Sequence, residues 1–223
     1  MAAGSDTTAI NPIGRLKHHF DTMEQQFDAS TLGMWVFLLT EIMFFGGMFL
    51  GYTVYRALHP TALAEASHTL YVSLGTANTA ILIISSFTMA LAVRAARLGQ
   101  HNALRLFLIV TILLGCLFLS IKGYEYYQEA LEHHVPGPSF TFTGTEPRLS
   151  EIFFFLYFAM TGIHAVHMII GLGLMTVLLG MTSKDRFGPA WHTPVEMTGL
   201  YWHFVDIIWI FLYPLLYLAG DKL

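Results

Sequence analysis

Three long apolar runs in this sequence carry ionisable groups: Glu41 in LGMWVFLLTEIMFFGGMFLGYTVY, His164 and His167 in EIFFFLYFAMTGIHAVHMIIGLGLMTVLLGM, and His203 and Asp206 in GLYWHFVDIIWIFLYPLLYLAG. The members of each pair are three residues apart and share one face of a helix. At about 1.5 Å rise per residue, Glu41 lies roughly 15 Å from the polar segment before Leu32, too deep to snorkel out of a hydrocarbon core about 30 Å thick. Its neighbours at turn spacing, Phe37, Leu38, Phe44 and Phe45, cannot pair with it, so its partner must come from another helix.

Three chemistries use such groups. Histidine and carboxylate on facing helices can hold a metal, as Glu-x-x-His pairs do in di-iron bundles, and two imidazoles can hold a haem. Intramembrane Glu, His and Asp also form proton relays and transporter sites. Alternatively the groups satisfy one another across helix interfaces, because an unpaired one in lipid is costly. The last reading carries most weight: the pairs here are HxxH and HxxD, and the chain has no internal repeat and no span broken at its middle, as transporters usually have. There is no G-x-S-x-G, HExxH or phosphate loop, and no catalytic residue is assigned.

The elements that must position these groups are membrane helices. The composition is 55% hydrophobic and 12% charged with a mean hydropathy of +0.57, far more apolar and less charged than a soluble domain. Five windows reach spanning length, about 32–55, 70–93, 105–123, 151–181 and 198–219, and predict an all-α bundle of five spans over 32–223 behind a polar tail, 1–31, without a signal peptide. The net charge of -4 is slight and dispersed, which argues against nucleic acid as a partner.

Lys17, Arg15, Arg94, Arg97, Arg105, Lys184 and Arg186 fall on one side and only Arg56, Lys122, Arg148 and Lys222 on the other, which predicts a cytoplasmic N-terminus and an outside C-terminus. Arg94 and Arg97, with Trp35, are candidates for lipid head groups. Gly47 and Gly51 form a small-xxx-small face, and Gly171 is a further packing candidate. Cys116 reads as a small packing residue, Ser150 as the N-cap of span 4, and Tyr201, Trp202, Tyr213 and Tyr217 as interfacial aromatics. Span 2 carries Asn78 and a row of Ser and Thr. Span 3 continues into KGYEYYQEALEHH, whose Glu125, Glu129 and Glu132 read as a solvated face or a dock for a basic partner. His133 and His134, adjacent on a helix, point about 100 degrees apart and do not form a metal pair.

Four runs in order, LGMWVFLLTEIMFF (32–45), GYEYYQEA (123–130), TGIHAVHMIIG (161–171) and YWHFVDIIWIFLY (201–213), resemble subunit III of the haem-copper terminal oxidases. The resemblance covers nearly the whole chain after about residue 30. It implies a non-catalytic subunit beside catalytic subunit I and other oxidase subunits in a bacterial plasma membrane. The haems and copper would lie in those partners, with no metal or cofactor in this chain beyond bound phospholipid. It implies support of proton uptake in the neighbour, with Glu41, His164, His167, His203 and Asp206 as buried polar positions and none a redox ligand. Longer family members have seven spans, with a lipid cleft walled in part by two extra N-terminal ones. A quinol-oxidase subunit, a homologue associated with nitric oxide reductase, and an independent proton-linked transporter are the alternatives.

Overall fold

The computed structural model describes residues 17, 19–138, 140–142, 144, 146–182, 187–188 and 191–218. Arg15, Lys184, Arg186 and Lys222, which enter the charge comparison, lie outside the described residues. Six helices occur among them: α1 Met23–Leu58, α2 Pro60–His68, α3 Val72–Arg97, α4 His101–Leu131, α5 Pro147–Thr182 and α6 Thr193–Tyr217. Five of these, all but α2, are long and apolar enough to cross a membrane.

Local chemistry explains the boundaries. α1 starts nine residues before its apolar window because Thr22 accepts from the Gln25 N–H while the Gln25 side chain accepts from the Asp21 N–H, a variant of the capping box. The stretch read as a tail therefore divides at Met23. α2 has no counterpart among the predicted spans. Pro60 opens it, and Ala62, Leu63, Ala66 and Ser67 bury one face, but two turns of mostly small residues leave little periodic signal. Ser150 is not an N-cap: α5 starts at Pro147, and Ser150 is buried within the first turn with its hydroxyl donating to the Glu146 carbonyl.

Contacts at the two ends fix an up-and-down order. At one end Arg97 of α3 pairs with Glu196 of α6, Arg105 of α4 donates to the Thr182 carbonyl at the end of α5, and Phe27 of α1 meets His192. At the other, Tyr71 before α3 reaches Glu132 after α4, and Tyr52 of α1 meets Phe153 of α5.

The core lies between α3, α4, α5 and α6, around the fully buried Trp202, Trp209 and Phe118. The Ser and Thr row of α3 bonds across to α6: Thr76 with Tyr213 at 2.6 Å, Thr79 with Trp209 Nε1 at 3.1 Å, Ser85 with Trp202 Nε1 at 3.0 Å and Ser86 with His203 Nδ1 at 2.7 Å. Such bonds hold membrane helices together where lipid supplies no hydrophobic drive between them. The α6 aromatics are therefore not an interfacial belt: Trp202, Tyr201 and Tyr217 are buried inside the bundle. Cys116, expected in packing, is exposed.

α1 is attached most thinly. It buries only Leu38, Phe45 and Tyr52, one residue every seven, against its neighbours, the spacing of a single coiled-coil seam. Gly47 and Gly51 are not packed within the chain, and an added Cβ at either would meet nothing within 4 Å. Gly171 is the opposite case, because its Cβ would come within 2.7 Å of the Trp202 ring. Gly171→Ala should cost about 1–3 kcal/mol by overpacking, read from SDS-driven unfolding in mixed micelles, whereas Gly47→Ala should leave that transition unchanged.

Candidate functional site

The structure separates the five predicted polar residues into three places. Glu41 on α1 faces His167 on α5, with Oε2 3.6 Å from Nε2. The partner comes from another helix, and both side chains are partly exposed rather than buried, at 19% and 14%. The imidazole also spans to α6: its Nδ1 lies 3.1 Å from the Tyr201 hydroxyl, which itself donates to the His167 carbonyl at 3.1 Å. With the hydroxyl proton used there, Nδ1 is the donor to Tyr201, and Nε2 is the nitrogen turned toward Glu41. The pair opens onto a groove between α1, α5 and α6 lined also by Phe37, Ile170 and Met197.

His203 and Asp206 lie on α6 against α3. His203 Nδ1 lies 2.7 Å from the Ser86 hydroxyl, which the buried Asp206 carboxylate also faces. His164 stands apart from both. It is fully buried between the rings of Phe118 and Trp209, at 5.6 and 5.2 Å, and neither ring nitrogen is hydrogen-bonded among the described residues. Among the described residues, no unbroken line of hydrogen-bonded groups therefore links Glu41 to the far end of the bundle through His164.

The head-group candidates also divide. Both arginines are exposed and line a cavity of about 450 Å³ with His203, but Arg97 is paired with Glu196, which His192 also approaches at 3.2 Å. Trp35 lines a separate, almost wholly apolar groove of about 420 Å³ between α1 and α6, with Phe45, Phe204 and Phe211.

The densest polar cluster escapes the sequence reading. Lys122 and Glu125 are only 2% and 0% exposed. The ammonium donates to Glu125 Oε2 at 3.1 Å, to Tyr157 of α5 at 2.9 Å and to Tyr217 of α6 at 2.6 Å. Glu125 Oε1 accepts from both tyrosine hydroxyls. All three ammonium protons and both carboxylate oxygens are used, so the pair is buried without an orphan. Glu125 and Glu129 are thus not a solvated face; only Glu132 of the three is exposed. The available signal was spacing: Lys122 and Glu125 are at i and i+3, beside Tyr126.

The fold defines the class as polytopic α-helical membrane proteins. Within that class, the family model for cytochrome c oxidase subunit III matches residues 16–221. Relatives include a probable cytochrome c oxidase subunit 3 of Nocardia farcinica, 35% identical over 84% of this chain and 86% of the relative. Cytochrome c oxidase subunit 3 of Thermostichus vulcanus is 33% identical over 89% and 91%, and that of Synechocystis 32% identical over 86% and 76%. The chain belongs to the cytochrome c oxidase subunit III family.

Removing one member of the buried pair should be far worse than removing both. Lys122→Met alone should cost about 3–5 kcal/mol, while Lys122→Met with Glu125→Leu should recover most of that loss, measured as unfolding free energies in the same detergent.

Proposed function

We propose that this chain is the non-catalytic third integral subunit of a proton-pumping haem-copper oxidase in a bacterial plasma membrane. It stabilises catalytic subunit I and supports that subunit's proton uptake, and the haems and copper belong to its partners. The carrying observation is the placement of the Glu41–His167 pair: it opens on a groove at the bundle surface, and among the described residues the interior imidazole one turn away, His164, makes no hydrogen bond that continues a path. A transporter or relay confined to this chain needs such a path; a carboxylate facing outward suits a role toward a neighbour. The names of the relatives favour cytochrome c over quinol as the donor to the complex.

The orientation follows from charge. Lys17, Arg94, Arg97 and Arg105 lie at the end where α1 begins, and the opposite end has Arg56 and Arg148, since Lys122 is internally paired. That bias supports a cytoplasmic start of α1. The Arg94 and Arg97 cavity then lies at cytoplasmic head-group depth, and it and the apolar groove beside Trp35 suit the head and chains of phospholipid.

Glu41→Gln keeps the shape of the side chain and should leave assembly and haem content of the purified oxidase intact. The complex should lose activity after several-fold fewer turnovers than the wild type in sustained oxygen-electrode assays. An unchanged catalytic lifetime would remove the proton-side role, and loss of the chain from the complex would make Glu41 purely structural.

A further inference from the structure

Beyond the end of the α4 apolar window, the chain turns back on itself. Glu132 caps the helix, His133 adopts a left-handed φ of 59°, the His133 N–H donates to the Ala130 carbonyl at 3.3 Å and the His134 N–H to the Glu129 carbonyl at 3.0 Å. This paired closure is a Schellman reversal, here with histidine where glycine is usual. It folds His134 over the last turn of α4, where the ring stacks on Phe154 with centroids 4.8 Å apart.

The reversal brings three ligand groups together. His134 Nδ1 lies 2.8 Å from Glu129 Oε2 and 3.5 Å from Glu132 Oε2, and one ligand atom from each residue falls within 4.8 Å of the others. A second observation points inward to a ligand. Glu129 is 0% exposed, and its other oxygen, Oε1, has no hydrogen-bond partner among the described residues. A carboxylate oxygen buried without a donor is costly unless something cationic meets it.

We propose that Glu129, Glu132 and His134 bind one divalent cation of the zinc type. Ligand bonds of about 2.1 Å in a tetrahedron set ligand atoms about 3.4 Å apart, between the two separations His134 already makes. One imidazole and two carboxylates match the nitrogen and oxygen donors zinc accepts; calcium requires six to eight oxygens. Tyr71 donates to Glu132 Oε1 at 3.1 Å and orients that carboxylate, as groups behind metal ligands do. Glu132 is 42% exposed, so the fourth position is open to water. The site lies outside the redox chemistry of the complex and takes only one histidine of the 133–134 pair.

The test uses the oxidase purified with its accompanying subunits, stripped with EDTA and dialysed against micromolar free Zn²⁺. Wild type should retain one more zinc per copy of this chain than Glu132→Gln or His134→Gln by elemental analysis. Equal retention in all three overturns the site. Wild type alone provides an independent reading: zinc should slow modification of His134 by diethyl pyrocarbonate at least threefold, mapped by peptide mass spectrometry, with exposed His133 as the internal control. Unchanged His134 reactivity on adding zinc would equally overturn it.

Discussion

The alignment of the bundle is constrained by the burial of Lys122 against Glu125. Two charges taken into a low-dielectric interior are tolerated only when every proton and lone pair is matched, and the matching here recruits Tyr157 from α5 and Tyr217 from α6. Three helices are thereby fixed in depth and rotation at one end of the bundle. Packing of Trp202 on Gly115 and Gly171, and of Trp209 on Phe118, follows from that alignment. At the other end Arg97, Glu196 and His192 tie α3 to α6.

The number and approximate limits of the membrane helices were legible because lipid imposes length and apolarity on any span. The need of Glu41 for a partner on another helix was legible for the same reason. Which helix supplied it was not: His164, His167, His203 and Asp206 are equivalent by composition, and only the rotation of α5 decides that His167 faces α1 while His164 turns into the core. The acidic end of α4 was misread because a run of Glu beside Lys and Tyr looks the same whether water or other helices surround it. Its burial is set by Tyr157 and Tyr217, distant in sequence. α2 and the Met23 start of α1 rest on short local signals, Pro60 and the Thr22–Gln25 cap, weaker than hydropathy.

The polar groups fall into two kinds. Those of α3, α4 and α6 are largely committed to one another, and they hold the fold. Glu41 and His167 are paired only loosely and remain open to the groove between helices. A subunit that works by contact with a neighbour needs both: a rigid body of its own, and ionisable groups left within reach of another chain's surface.

The thin seam of α1 also bears on how the protein is made. α1 leaves the ribosome ahead of the helices it packs on, α2, α5 and α6, and of these only the short α2 soon follows it. During synthesis of α3 and α4 it must wait in the bilayer with Glu41 lacking its imidazole. Its many lipid-facing residues make that wait affordable, but the carboxylate does not share in that tolerance. Any factor that shelters one acidic residue until His167 emerges would therefore act on this helix.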